Sequence, residues 1–442
     1  MSTESEINEA ALNFLPKLQA RQPGSSASQV NQNRLHGVGK TMELGEVENF
    51  IMTHFDEDDY STKTKFIDID GKLVGLDISD FSSFREVVYG LMEFQFFQER
   101  IDHESLLDYS YDWLISSYKT EGIVLLLVDY LKDRITVETK EYHFYFVVKG
   151  LAIEKPIKIG QSWVTYFSNE KIRGYYDQFR AKKPDKSYNE FYEIYKSHFD
   201  SINIHTVVKG VISRALEVAR WEATLAVDVL KCFCSSYSTE KLVRMFDIDF
   251  VFAQDGISQT MFMPQTDFIE ATLQTTRLHG IIPIELKNQT VEEMFSKGMN
   301  LYSLFISKKY NSDLYIETEA LIRQLGNICS TANNYEKVVK SISLFEGFCV
   351  PKGSGRSKGE SIIKNKVVPK VVCAVEVEVI QKLVRIFYET RDKYLHNAIR
   401  IPIRKSELNR FIAFQRVFIQ KLICLNGSYQ TVEQVLHFFE II

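Results

Sequence analysis

Apolar side chains recur at helical spacing through the last third of the chain, from Ile316 to Ile442. This period of three to four residues is typical of amphipathic helices that bury one face. The pattern breaks at dipeptides that end helices: Asn333-Asn334, Ile401-Pro402 and Asn426-Gly427. Because short connections favour antiparallel neighbours, the sequence predicts a C-terminal all-α bundle of four or five helices.

The third predicted helix runs from about Val371 to His396 and carries an arginine and a histidine near its end. Arg391 precedes His396 by five positions, and no other histidine of the chain follows an arginine at this spacing. On a straight helix the two positions are about 140° apart. They become neighbours only if His396 lies in a frayed last turn, which Pro402 favours.

An imidazole and a guanidinium supply what RNA cleavage without a metal requires. The reaction needs a base for the 2′-hydroxyl, an acid for the leaving oxygen and a cation for the charge that builds on phosphorus. One bundle offers a single such histidine, so a two-fold dimer with two of these helices facing each other would provide both acid and base. Alternatively, His396 caps the helix C-terminus and Arg391 forms a surface ion pair with Glu389 or Asp392.

The segment from Arg391 to Asn397 (RDKYLHN) resembles the Arg-polar-x3-His signature of the HEPN superfamily (higher eukaryotes and prokaryotes nucleotide-binding domain), with Asp392 in the polar position. The surrounding helix order is similar to the Apea-like branch, with the segment 341–347 (SISLFEG) standing before a flexible basic loop at 351–360. The resemblance covers about residues 310–442. A weaker similarity to the N-terminal regions of Apea-like proteins lies in residues 146–160.

This resemblance implies a metal-independent endoribonuclease that needs no cofactor and forms a homodimer through the C-terminal bundle. It implies a toxin or abortive-infection effector in antiphage defence, with Arg391 and His396 catalytic. Other side chains near the end of the same helix are expected to assist: Asp392, Asn397 and Tyr394 in support, and Lys393, Arg400 and Arg404 in RNA binding. Because some members of the superfamily bind without cleaving, the alternative is an inactive module that recognises a protein or a nucleotide.

Charge is divided unevenly along the chain, whose formal net charge is −5. Residues 352–442 hold 16 Lys and Arg against 8 Asp and Glu, whereas residues 1–351 hold 37 against 50. A basic C-terminal segment that follows an acidic remainder of the chain suits a polyanionic ligand near the C-terminus. A solvated basic face explains the same counts.

Strand-forming and helical segments alternate ahead of the bundle, which predicts an α+β fold. We expect a polar, flexible lead-in at 1–40, an α+β sensor or regulatory domain at 41–285, a connecting helix within 286–315 and a HEPN-like bundle at 316–442. A phage-derived trigger would act on the α+β domain. Within that domain the patterns predict a hairpin that turns at Asp70-Gly71, strands at 142–151, 157–159 and 163–167, and a helix over 203–234.

Two further segments have competing interpretations. Gly37 to Thr41 looks like the tail of a phosphate-binding loop, but Arg34 stands where the first glycine belongs. Lys171 to Phe199 mixes cations with aromatic rings on which bases could stack. We favour the other interpretation, an amphipathic surface helix whose aromatic face points inward.

The six cysteines are widely spaced and form no CxxC pair, which predicts buried free thiols. The longest apolar run, 123–128, is far shorter than the about 20 residues of a membrane-spanning helix. The acidic N-terminus shows no secretory signal. The sequence therefore predicts a cytoplasmic protein without a membrane partner.

Overall fold

The computed structural model shows a mixed α+β protein with two compact units. The first unit comprises residues 1–140 and 209–215, and the second comprises residues 141–208 and 216–442. The structure describes side chains in these ranges: 3–20, 64–120, 125–234, 246–248, 283–308, 310–331, 333–351, 357–396 and 399–442. It describes the backbone alone at these positions: 21, 51–55, 62–63, 237–238, 243–244, 260–264, 356 and 397.

Strands and helices alternate along the described ranges before helices dominate. The strands are β1 Gln19–Arg21, β2 Ile51–Phe55, β3 Thr62–Ile69, β4 Lys72–Gly75, β5 Lys140–Val148, β6 Leu151–Ile153, β7 Ile157–Ile159, β8 Ser162–Thr165, β9 Ile202–Gly210, β10 Tyr237–Ser238, β11 Val243–Arg244, β12 Thr260–Pro264 and β13 Ile284–Leu286. The helices are α1 Glu4–Leu12, α2 Ile78–Tyr89, α3 Gln95–Arg100, α4 His103–Lys119, α5 Leu127–Glu138, α6 Asn169–Lys182, α7 Tyr188–Phe199, α8 Ile212–Phe233, α9 Asn288–Met294, α10 Asn300–Ser307, α11 Asp313–Ser330, α12 Asn334–Cys349, α13 Arg356–Ile362, α14 Val368–Val371, α15 Ala374–Asn397, α16 Lys405–Leu425 and α17 Val432–Phe438.

The first unit combines α1 to α5 with an antiparallel sheet in the order β1-β4-β3-β2. The predicted hairpin is confirmed, because β3 and β4 turn at Asp70 (φ 52°) and Gly71 (φ 75°). Positive φ at both central residues is what a tight primed turn requires. Ile7 and Ala11 of α1 lie in the apolar core, although the sequence suggested a loosely held lead-in there. Residues 22–50, which include the candidate phosphate loop, lie outside the described ranges.

A five-stranded sheet in the order β12-β5-β9-β8-β7 lies in the second unit, apart from Lys140 of β5 and the last residues of β9, which belong to the first. The strands β5, β7 and β8 confirm the predictions made for those segments. The helix predicted over 203–234 is wrong in its first part, because residues 202–210 form β9 and α8 begins at Ile212. Alternation decides this segment: Ile204 and Thr206 are buried, whereas His205 and Val207 face the other side.

The aromatic segment 171–199 forms α6 and α7, and its aromatic face points inward as we favoured. Phe179, Phe191 and Phe199 lie in one buried cluster. Ser187 begins α7 with a capping box, in which its hydroxyl accepts from the Glu190 N–H and the Glu190 carboxylate accepts from the Ser187 N–H. Because the aromatic face of these two helices is buried, nucleic-acid bases do not stack on it.

From α11 onward the described elements are helical, as predicted. The helix α12 packs against α11 and α15, and α16 packs against all three. Phe345 of α12 anchors this core, with its ring centroid 5.0 Å from those of Phe414 and Phe418 on α16. Whether this arrangement is a HEPN bundle stays a prediction, as do the domain boundaries at 285/286 and 315/316.

Two expectations near this core are corrected. Residues 351–360 were expected to form a flexible loop, but the chain is helical from Arg356. Helix α13 continues through a π-helical turn, Ile363–Val367, into α14. Apolar side chains of this segment, such as Ile363 and Val367, are fully buried and hold it in place. As a result, α15 begins at Ala374 rather than near Val371.

The cysteine prediction holds for four residues and is wrong for two. Buried thiols belong to Cys232, Cys234, Cys329 and Cys349. Cys373 and Cys424 are exposed, since they lie outside the packed helix faces. Among the described helices, not one combines the length and the apolar character that crossing a membrane requires.

Candidate active site

Two carboxylates hold the guanidinium of Arg391 in the last two turns of α15. Arg391 Nη1 donates to Glu346 Oε2 of α12 at 2.7 Å, and Arg391 Nε donates to Asp392 Oδ1 at 3.1 Å. The guanidinium carbon also lies 4.8 Å from the centroid of the Tyr388 ring. These contacts leave 13% of the Arg391 side chain exposed. Within the described ranges Nη2 donates to no protein group.

The charge balance around Arg391 is negative. Burial alone would lower the pKa of Arg391, but the hydrogen bonds to Glu346 and Asp392 outweigh it and raise the pKa. One fixed positive charge therefore stands beside two carboxylates. An RNA phosphate is therefore attracted to this position only if other cationic side chains lie nearby.

His396 lies one residue before the end of α15, and its side chain is exposed. The helix continues through Asn397 rather than fraying before it. Regular helical geometry then directs the side chains at 391 and 396 about 140° apart. One protomer therefore does not bring Arg391 and His396 together, although the imidazole remains accessible to a ligand or to a second subunit.

A pair of stacked aromatic rings joins α15 to α12 at Tyr394. The Tyr394 ring stacks on Tyr335 of α12, with centroids 5.2 Å apart and planes inclined by 17°. The guanidinium of Arg400 lies 5.9 Å from the centroid of the same Tyr335 ring. Tyr394 thus supports the position of the helix end, whereas the side chain of Asn397 lies outside the described residues.

The three cations expected to bind RNA differ in their availability. Lys393 pairs with Glu389 one turn earlier at 2.7 Å, so its charge is already balanced. Arg404 lies 3.9 Å from Glu407 and exposes 82% of its side chain, and Arg400 is also exposed. Arg400 and Arg404 are therefore the more accessible of the three cations.

Glu346 is the site residue that sequence reasoning missed as a functional side chain. Glu346 Oε1 and the Tyr388 hydroxyl converge beside Gly359 of α13, where an added Cβ would lie 3.4 Å from the carboxylate oxygen and 3.0 Å from the hydroxyl. Burial, followed by the Glu346 carboxylate, raises the pKa of Tyr388. No local signal identifies this cluster, because Glu346 and Arg391 are 45 positions apart.

Comparison with protein-family models, with curated proteins and with solved structures finds no match for this chain. Across the described ranges, no group of three or more His, Cys, Asp or Glu side chains is placed to hold a metal ion. The chemistry at the end of α15 is that of a guanidinium, an exposed imidazole and two carboxylates.

Proposed function

We propose that the protein is a metal-independent endoribonuclease that acts as a homodimer, with Arg391 and His396 as its catalytic residues. One observation carries the proposal. An exposed imidazole ends the same helix that holds a guanidinium whose Nη2 edge donates to no group in the described part of the chain. The likeness of residues 391–397 to the HEPN signature supports the same assignment.

The proposed reaction balances without a metal. One imidazole takes the proton of an RNA 2′-hydroxyl, and the 2′-oxygen attacks the adjacent phosphorus. The bond from phosphorus to the 5′-oxygen breaks, and the leaving oxygen takes a proton from the second imidazole of the dimer. The Nη2 edge of Arg391 stabilises the charge on the phosphoryl oxygens. The products end in a 2′,3′-cyclic phosphate and a 5′-hydroxyl.

A second subunit is part of this mechanism because each copy supplies one His396, whereas the reaction needs both a base and an acid. Two helices related by a two-fold axis would place the two imidazoles on opposite sides of one phosphate, with the guanidinium of Arg391 at its oxygens. Arg400 and Arg404 add the positive charge that Glu346 and Asp392 remove.

The test is cleavage of labelled single-stranded RNA in the presence of EDTA. Arg391→Ala and His396→Ala should each lower the rate by about 100-fold or more, as expected for loss of a charge stabiliser or an acid/base group. Arg410→Ala and His437→Ala are matched controls, because both are exposed helical residues, and His437 also lies in the last turn of its helix. Parental cleavage by the folded Arg391 and His396 variants would exclude this site.

The biological role that fits this activity is a toxin or abortive-infection effector in antiphage defence. The α+β part would sense a phage-derived trigger and control the nuclease. Expression of the parent chain should then arrest bacterial growth, whereas the His396→Ala variant should not. Equal arrest by both would argue against a nuclease toxin.

An inactive HEPN-type module for binding or dimerisation is the second candidate. The ion pairs of Arg391 with Glu346 and Asp392 favour this candidate, because the guanidinium already has two anionic partners. This candidate predicts that the protein sediments as a dimer but does not cleave RNA. It also predicts that His396→Ala leaves the affinity for a protein or nucleotide ligand unchanged.

A further inference from the structure

A row of aromatic and basic side chains crosses four strands of the five-stranded sheet. Lys158 of β7 pairs across the strands with Trp163 of β8, and Trp163 pairs with His205 of β9. His143 of β5 continues the row, since its Nδ1 lies 2.9 Å from Nε2 of His205. We refer to Lys158, Trp163, His205 and His143 as the sheet row.

The end of the sheet row formed by Lys158 and Trp163 is accessible, whereas His143 and His205 are partly buried. Trp163 exposes 41% of its surface, and Lys158 is also exposed. The neighbours of Trp163 along β8, Ser162 and Val164, are buried on the opposite face. The Nζ atom of Lys158 lies 5.8 Å from the centroid of the indole ring, so a cation accompanies the exposed aromatic surface. Exposed rings on an antiparallel sheet, with cations beside them, are suited to stacking unpaired bases.

The two histidines of the sheet row are flat, uncharged rings at neutral pH. The rings of His143 and His205 meet edge to edge through their hydrogen bond, with centroids 5.1 Å apart, and the His205 ring lies parallel to that of Tyr145 at 4.5 Å. Burial lowers the pKa of both histidines, that of His205 to about 3, and the nearby Lys171 lowers each further.

Lys171 of α6 adds a cation that lacks an anion. Its Nζ donates to the Tyr145 hydroxyl at 2.6 Å and lies 5.4 Å from the Phe167 centroid and 5.8 Å from the Tyr175 centroid. No carboxylate in the described ranges lies within ion-pair distance of Lys171. Burial lowers its pKa.

The charge around the sheet row favours an anionic ligand. Helix α6, which supplies Lys171, holds four Lys and Arg against two Asp and Glu. Within the described ranges, an ion-pair contact joins the row to the carboxylate of Glu141, with Oε1 3.9 Å from Nε2 of His143. Lys158 and Lys171 add positive charge beside these rings.

We propose that the sheet row binds single-stranded RNA, with a base stacked on Trp163 and a phosphate at Lys158. The choice of RNA over DNA rests on the proposed ribonuclease function. An unpaired strand is required because base faces in a duplex are covered by their neighbours. The surface would hold substrate away from the cleavage residues and contribute to affinity rather than to chemistry.

Binding is measured with the full chain carrying His396→Ala, so that the probe is not cut. Fluorescence anisotropy follows a fluorescein-labelled single-stranded RNA of about 12 nucleotides. In this background Trp163→Ala should weaken binding by about tenfold, the effect of losing one stacked base. Lys158→Ala should weaken binding several-fold.

Trp221→Ala is the matched control. Trp221 exposes 57% of its surface and also has a cation on its ring, with Arg323 at 3.6 Å, but it lies on α8 rather than on the sheet. Its removal should leave RNA affinity unchanged. Because Trp163 is an exposed side chain, its removal opens no core cavity, and circular dichroism would verify that the variant is folded.

Several results would overturn the inference. These are no binding of the probe, equal affinity of the Trp163→Ala and parent chains, or equal losses for Trp163→Ala and Trp221→Ala. Duplex RNA that competes as well as the single strand would also exclude stacking. RNA binding at the sheet row in a chain that never cleaves RNA would refute the proposed function alone, whereas cleavage with unchanged Trp163→Ala binding would refute this inference alone.

Discussion

The ion pair between Arg391 and Glu346 should stabilise the contact of α15 with α12 more than an exposed pair of similar length. Its nitrogen and oxygen are 2.7 Å apart, and the side chains are 13% and 30% exposed. Arg410 and Glu376 form a natural comparison, because they link α16 to α15 at 3.1 Å with 48% and 44% exposed. The two pairs thus differ mainly in their access to water.

Solvent screening sets the expected magnitudes. Exposed pairs contribute about 0.2–1 kcal/mol, which we assign to Arg410 and Glu376. At an effective dielectric constant near 20, unit charges about 4 Å apart attract by ~4 kcal/mol, and desolvation offsets part of this. Asp392 remains 3.1 Å from Arg391 when Glu346 is replaced, which lowers the loss further. We therefore expect a coupling energy of about 1–2 kcal/mol for Arg391 and Glu346.

A double-mutant cycle measures this coupling. It compares Glu346→Gln, Arg391→Gln and the double variant, with Glu376→Gln, Arg410→Gln and their double variant as the control cycle. Because a chain of two compact units need not unfold in one step, hydrogen exchange of the α12 and α15 amides reports the local opening free energy. Equal coupling energies in the two cycles would refute the reasoning from burial.

Acid should destabilise the protein through His198, whose side chain is fully buried. Burial, and then Lys149, lowers the His198 pKa to about 3. The unfolded chain therefore binds the proton more tightly, and stability falls with pH from about 6.5 to 3 by up to ~1.4 kcal/mol per pH unit. His198→Gln should flatten the dependence of melting temperature on pH over this range, and an unchanged slope would contradict the assignment. Two glycines on helices α11 and α12 should respond oppositely to alanine in thermal denaturation. A Cβ at Gly326 would lie 2.9 Å from Cβ and 3.0 Å from Cα of Asp228, so Gly326→Ala should lose about 1–3 kcal/mol. Gly347 has nothing within 4 Å, so Gly347→Ala should gain about 0.5–1 kcal/mol, and shifts of the same sign would contradict the packing.

Local patterns predicted those elements whose signals lie within a few residues. The turn at Asp70-Gly71 needs only residues that accept positive φ, and the helix stripes of α11, α12 and α16 repeat over several turns. The prediction failed at 203–210, where apolar and β-branched residues fit either a helix face or a strand. Pairing with β8 decided for the strand.

The sequence by itself determined that a helix near the C-terminus carries Arg391 and His396, because the residue types and the helical period are local properties. Only the tertiary structure decided that Arg391 meets Glu346 from 45 positions away, and that Lys158, Trp163 and His205 share one row of a sheet. The physical reason is that contacts between elements depend on how helices pack and how strands align. Spacing along the chain does not specify either, so charge pairing and exposure at both sites follow from the fold.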